Sequence, residues 1–292
     1  MMMQFSSFSR WFYLNKNRFD ALVFDIDGVL FISGEPVEGA GAFLEKLRKD
    51  SIPFTLLTND DTHSHQEKAS ALSCAGIDIF PHEITSCGDG LIDYVEKNGL
   101  KNALFYQMGH MGAPGYAEKA GLIITRNIDE IGKTKGILIN ETLGGWETNL
   151  NGIVNHLIKN PDAPLIVPNP DPAYPDRDGK LTIGPGAIAG LIQIVLSAKG
   201  IHKKTVFLGK PYEPIFRKNH NKLEKMAKKP IDRERVIMIG DFIEADIKGA
   251  NRFGYCSALM LTGLTKPAEL EKITGTDGLS ADGIPNFVFQ TL

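Results

Sequence analysis

Two carboxylates, Asp25 and Asp27, stand at the end of the apolar run Ala21-Leu22-Val23-Phe24 and directly before Gly28. The run reads as a buried strand. Side chains two apart on an extended backbone share a face, so both acids can reach one site. Gly28 lets the chain turn sharply out of the strand. Neighbouring carboxylates repel unless a cation or a shared proton intervenes. A hard divalent ion with oxygen ligands, Mg2+ above all, resolves that repulsion.

An Asp-x-Asp pair alone also fits a solvated surface turn. Three further strand-like runs end in the same way, and these change the reading. Residues 52–57 lead into Thr58-Asn59-Asp60, residues 205–208 into Gly209-Lys210-Pro211, and residues 236–239 into Gly240-Asp241 with Glu244 and Asp246 beyond. Laid side by side in one parallel sheet, these ends bring acids, a hydroxyl, an amide and an ammonium to the carboxyl edge, where such sheets bind ligands.

That set suits phosphoryl transfer, in which a near-dianionic group must be held with its charge neutralised on all sides. Asp25 can attack phosphorus and form an aspartyl-phosphate. Asp27 can protonate the leaving oxygen and then activate the water that cleaves the intermediate. The Thr58 hydroxyl and the Asn59 amide can hold phosphoryl oxygens, and Lys210 adds positive charge. Asp241 completes a metal site with Asp25. Mg2+ takes few protein carboxylates and keeps waters, which leaves Glu244 and Asp246 to act through water or by orienting other groups.

The elements that must position these groups alternate strand and helix from residue 20. Helical patterns are expected at 40–49, at 61–74 with Asp60 or Asp61 as cap, and through Leu91 and Val95; a short strand is expected at 83–86. This alternation indicates an α/β fold with a doubly wound parallel sheet. Near Asn98-Gly99 the character changes. Strand-like runs at 103–107, 135–140 and 165–167 alternate with glycine-rich and polar joints, and residues 161–186 are rich in proline. The expected organisation is a core in two parts, 1–98 and 204–292, with 1–19 as an N-terminal extension and 99–203 as an inserted small α/β domain. The core sheet is expected to resume at Thr205 and to run through 236–238 and 257–261.

The composition of the 292 residues, 42% hydrophobic and 23% charged, is that of a globular protein, and the net charge of −3 gives no sign of a nucleic-acid partner. The basic run 218–229 reads as a solvated amphipathic helix through Leu223 and Met226. No apolar run reaches membrane-spanning length; 187–198 reads as a helix packed inside the protein. Cys74, Cys87 and Cys256 show no metal-ligand spacing and read as buried free thiols of a reducing compartment, so a cytoplasmic location is expected. Residues 1–17 carry serines, Arg10 and Lys16 but no acid, a composition that a mitochondrial transit peptide shares. Phe5, Phe8, Trp11, Phe12 and Tyr13 favour a segment packed on the domain instead.

The chain resembles the haloacid dehalogenase superfamily of phosphatases, and more narrowly its subfamily IIA, with the NagD-type, 4-nitrophenylphosphatase and pyridoxal-phosphatase relatives. The resemblance covers nearly all of 20–265. Asp25-Ile26-Asp27-Gly28-Val29-Leu30 matches the first motif, Thr58-Asn59 the second, Gly209-Lys210-Pro211 the third, and Gly240-Asp241 with Asp246 the fourth. It implies a Rossmannoid core with a C2-type cap inserted, Asp25 as nucleophile, and Asp27 as acid/base with a backbone carbonyl on the metal. It also implies a Mg2+-dependent hydrolysis of small phosphomonoesters such as sugar phosphates or nucleotides. A homodimer through the cap is the assembly this reading allows.

Three positions depart from the pattern. Asp60 stands where relatives usually have Asn, Phe242 where an Arg is common, and Glu244 where an Asp is usual. The segment Asn169-Pro170-Asp171-Pro172-Ala173-Tyr174-Pro175 resembles the substrate-facing cap loop, which makes Asn169, Asp171 and Tyr174 candidates for leaving-group contacts beside Asn59, Asp60 and Lys210. A proline-stiffened structural loop is the plainer reading of that segment. His63 and His65 read as exposed residues at a helix start, and Trp146 as a packing residue. Two other functions stay open: a phosphotransferase or phosphomutase, and a regulatory binding protein with a detuned site. Dehalogenation is disfavoured, because that chemistry does not use the second Asp as acid/base.

Overall fold

The computed structural model describes residues 3–32, 34–142, 144–175, 180–268, 270 and 280–292. Its main sheet has seven parallel strands in the order Met3–Ser7, Phe287–Thr291, Cys256–Met260, Val236–Gly240, Ala21–Phe24, Phe54–Thr58 and Ile84–Ser86. Strand Ala21–Phe24 lies in the middle and is buried on both faces, as parallel sheets with helices on each side require. Leu22, Phe24, Leu56 and Ile239 point to one face, beneath helices Phe8–Asn15 and Ala40–Lys49. Ala21, Val23, Leu57 and Met238 point to the other, where helix Glu213–Ala227 packs with Ile215, Phe216 and Leu223. The register sets Phe24 beside both Ile239 and Leu56. The residues that follow these three strands therefore emerge together at one edge.

A second sheet of five parallel strands runs Thr205–Phe207, Leu165–Val167, Gly136–Ile139, Leu104–Met108 and Ile123–Thr125. Strand Thr205–Phe207 thus belongs to the second sheet, paired with Leu165–Val167, and not to the main sheet as the sequence suggested. It is three residues long and half-buried at Val206 and Phe207, so its pattern carries no mark of which sheet it joins. Two hairpins complete the strands. Phe31–Ile32 pairs with Glu35–Pro36, and Ala173–Pro175 with Leu181–Ile183.

The N-terminal segment packs as its aromatics suggest. Strand Met3–Ser7 forms the sheet edge, and Ser7 caps helix Phe8–Asn15 through its side chain. Phe8 and Phe12 are fully buried against Phe43, and Phe8 also meets Phe24 and Phe289. Each such burial stabilises by about 2–3 kcal/mol. Two expectations need correction. Helix Pro185–Ser197 buries Ile188, Ile192 and Leu196 but leaves Leu191, Ile194 and Val195 exposed, so only one of its faces is inside. Cys74 is exposed, while Cys87 is buried and Cys256 half-buried; all three thiols are free. Among the described residues no helix is long and apolar enough to cross a membrane.

Candidate active site

Asp25, Thr58 and Asp241 leave adjacent parallel strands at the same edge, and Asp25 is tied there by its amide to the Ile239 carbonyl at 2.8 Å. Lys210 arrives from the far end of the second sheet. Its Nζ lies 2.7 Å from Asp25 Oδ1 and 2.7 Å from Asp246 Oδ1, and all three side chains are buried. Carboxylate oxygens of Asp25, Asp241 and Asp246 lie within 4.8 Å of one another. Burial opposes the Lys210 charge, but Asp246 and Asp25 outweigh it and hold the ammonium above its ordinary pKa. Burial pushes the Asp25 carboxyl well up; Lys210 opposes this, while Asp246 and Asp241 add to it. Burial and Asp246 likewise raise Asp241, against the Leu264 amide that donates to it.

Asp246 has a second task. Its Oδ2 accepts from the amides of Asp241 and Phe242 at 3.1 and 3.0 Å, which fixes the turn that presents Asp241. Both Asp246 oxygens are thus engaged by protein groups. Glu244 does not join the cluster: its side chain is exposed and pairs with Lys248 at 2.7 Å. The chain winds helically through Ile243–Ile247, and only Asp246 of its two acids falls on the inner side. Glycines make room for the acids. Gly28 has φ 81°, and a Cβ there or at Gly263 would overlap the Asp241 carboxylate.

Asp27 is exposed to solvent yet has protein groups close around it. Burial and the nearby Asp60 raise its pKa, against Lys210, Lys68 and His63. A carboxyl whose pKa is raised is biased toward its acid form, the form a proton donor needs. Thr58 is buried and accepts the Asp60 amide at 3.0 Å, so its own proton is left to donate. The Asn59 side chain clamps the site from within: it accepts the Lys210 amide at 2.7 Å and donates to the Lys210 carbonyl and to Asp171 Oδ1 at 3.0 Å each.

Asp60 is compensated rather than free. Its Oδ1 accepts from Thr62, and its Oδ2 faces His63 at 3.0 Å and Lys68 at 3.3 Å. Burial alone would raise its pKa, but His63 and Lys68 outweigh burial and lower it. Asp60 is held by Thr62, His63 and Lys68, and Asp61 accepts from Asn140 at 2.6 Å, so neither caps the following helix. That helix starts later, at His65, with Ser64 and Glu67 closing a capping box. His63 is exposed as expected, whereas His65 is partly covered and bonded to Asp89 at 2.8 Å.

From the inserted region, Asp171 reaches the site through Asn59, and burial pushes its pKa to about 6 against Lys210 and the Asn59 bond. Asn169 spends its oxygen on the Asp171 amide at 2.9 Å and so shapes the loop. Tyr174 donates to Glu141, and burial together with that acid raises the phenol's pKa. Trp146 is partly buried against the apolar cluster of the second sheet. Sequence reasoning missed four residues here. Glu141 partners Tyr174. Asn140 donates to the buried Asp61 at 2.6 Å. Lys68 and Tyr116 meet at the His63 carbonyl. Only Lys68 had a visible signal, a cation on the same helix face as Leu72.

Two family models match this chain. Residues 22–123 match the haloacid dehalogenase-like hydrolases, and residues 207–290 match a HAD-hydrolase-like model. The chain is 26% identical over 248 residues to a dihydroxyacetone phosphatase of Corynebacterium glutamicum, covering 85% of this chain and 83% of that protein. It is 27% identical to an acid sugar phosphatase of Staphylococcus saprophyticus, covering 87% and 91%. Its fold superposes on a possible sugar phosphatase from Cytophaga hutchinsonii with a TM-score of 0.81 at 24% identity, covering 99% and 98% of the two chains.

Proposed function

The chain belongs to the haloacid dehalogenase-like hydrolases and is a phosphatase of that family; from this premise we propose that it hydrolyses small, sugar-sized phosphomonoesters through an aspartyl-phosphate on Asp25, with Mg2+. The observation that carries the reading is the buried Lys210, shared at 2.7 Å between Asp25 and Asp246, with the Asp241 carboxylate in the same cluster.

The donor set fits Mg2+: hard carboxylate oxygens, close together, with no thiol or imidazole among them. Asp25 and Asp241 would hold the ion, together with the Asp27 backbone carbonyl. When bound, it offsets repulsion between the nucleophile and the phosphoryl oxygens. Lys210 neutralises one phosphoryl oxygen and holds Asp25 in place. The Thr58 hydroxyl donates to another. Asp27, exposed to solvent, gives its proton to the leaving oxygen and later takes one from the attacking water. In this reading the second sheet, residues 104–207, and the hairpin of Ala173–Pro175 with Leu181–Ile183 cover the site and read the leaving group. Glu141 and Asp171 belong to that side, and their acidity suits a neutral, hydroxyl-rich leaving group better than an acidic one. The relatives' names, dihydroxyacetone phosphatase and acid sugar phosphatase, agree with that preference.

The reading of a detuned regulatory protein rested on Asp60 and Phe242. The Asp60 charge is balanced by Lys68 and His63, so that support is weaker; the Phe242 amide donates to Asp246 whatever side chain stands at that position. The test is a phosphometabolite panel with Mg2+, run for wild type and Asp25→Asn. The substitution keeps size but removes the attacking charge, so turnover should fall by ~10^3 or more. More than a tenth of wild-type kcat in the variant would refute the covalent route.

A further inference from the structure

Helix His65–Cys74 carries a lysine on its buried face. Lys68 lies on the same side as Ala69 and Leu72, with its side chain 5% exposed. Its ammonium sits 3.3 Å from Asp60 Oδ2, donates to the His63 carbonyl, and lies 3.4 Å from the Tyr116 hydroxyl. Tyr116 comes from the inserted domain, where its ring packs beside Phe105 and Leu138, and it donates to the same His63 carbonyl at 3.0 Å. A buried ammonium is unfavourable unless paired, and a leucine or methionine would fill the same place in a helix face. Here every partner of the ammonium belongs to the stretch 60–63 or to the domain that covers it.

Asp60 directly follows Thr58 and Asn59, so an uncompensated charge there would repel a phosphoryl dianion. The exposed His63 covers one side of Asp60. We propose that Lys68 is a positioning residue for the phosphate loop: from the buried side it cancels the Asp60 charge and pins residues 60–63 against Tyr116, so that the loop accepts a phosphoryl dianion. This inference rests on the phosphatase reading above.

The experiment measures inorganic phosphate as a competitive inhibitor of 4-nitrophenyl phosphate hydrolysis, for wild type, Lys68→Met, Asp60→Asn and the double variant. Lys68→Met should weaken phosphate binding and raise KM by roughly tenfold or more, as expected of a like charge next to a partly buried anion. The change in kcat should be smaller, because the reacting groups stay in place. Adding Asp60→Asn should recover most of the lost phosphate affinity. A merely structural lysine would not give this split of KM from kcat, nor its recovery by removing one charge. Phosphate affinity within twofold of wild type in Lys68→Met overturns the proposal, as does a double variant that binds phosphate no better than Lys68→Met. Should Lys68→Met fail to fold, the double variant, which buries no unpaired charge, decides alone: affinity more than tenfold below wild type overturns the proposal. A wild type that neither hydrolyses phosphate esters nor binds phosphate refutes the phosphatase reading itself.

Discussion

Asp61→Asn should stabilise the protein at pH 8 and do nothing for it at pH 5. Asp61 is 1% exposed, its Oδ2 accepts one bond from Asn140 at 2.6 Å, and its Oδ1 has no partner in the structure. Burial, opposed by the Asn140 bond and reinforced by Asp60, pushes its pKa from 3.8 to about 8. The folded state therefore keeps a proton that the unfolded chain releases. The stability from this group is complete below the unfolded value and is lost as pH rises toward 8. At about 1.4 kcal/mol per pH unit, the loss is about 5 kcal/mol at pH 8 and under about 2 kcal/mol at pH 5. Asparagine does not ionise, and its oxygen can still accept from Asn140. Its amide group faces the unpartnered side and costs about 2 kcal/mol. The net gain is about 3 kcal/mol at pH 8 and near zero at pH 5. For a chain of this size that corresponds to a Tm about 6 °C higher at pH 8. Thermal unfolding followed by circular dichroism at pH 5, 6, 7 and 8 measures the difference directly. A Tm difference that stays flat across that range, or a variant less stable at pH 8, would show that Asp61 is ionised in the fold.

Chelation with EDTA should abolish activity and added Mg2+ should restore it, since Asp25, Asp241 and Asp246 otherwise crowd negative charge at the phosphate; full turnover in metal-free buffer would exclude the proposed site. Asp27→Asn should lose least with 4-nitrophenyl phosphate, whose leaving group needs little protonation, and equal losses on good and poor leaving groups would remove Asp27 as the acid. Tyr174→His breaks the bond to Glu141 and Asp171→Asn alters the partner of Asn59, so each should change the kcat/KM ratio between the two best substrates while metal affinity holds. A ratio unchanged in both would make the loop purely structural.

The convergence of these groups was legible because each closes an apolar run. Asp25, Thr58 and Asp241 follow strands whose burial pattern is continuous, and a parallel sheet aligns such ends without further information. Lys210 was found through the wrong strand: its position after an apolar run was right, but three residues of run do not say which of two sheets they join. Glu244 and Asp246 are two apart, and spacing alone could not show which one the local winding turns inward. The start of helix His65–Cys74 was misplaced because Asp60 and Asp61 look like caps, yet their side chains answer to His63, Lys68 and Asn140. Bonds of that kind join residues far apart in the chain, 112 positions for Asn59 and Asp171 and 151 for Asn59 and Lys210, and no local periodicity records them.

Those long-range bonds share a destination. Asn59 holds Asp171, Asp61 holds Asn140, and the His63 carbonyl holds Tyr116, so three separate segments around the second sheet fasten to residues 59–63. The unit that can be exchanged between relatives is then not the insert by itself. A chimera that moved only the second domain would leave Asp61 buried without its amide and Asn59 without its carboxylate. Its junctions would look clean in the chain while its interior was mismatched. A graft that carries residues 58–68 along with the second sheet, including strand Thr205–Phe207, keeps both halves of every such bond. Recombination, in the laboratory or in descent, should therefore favour breakpoints that keep this loop with its roof.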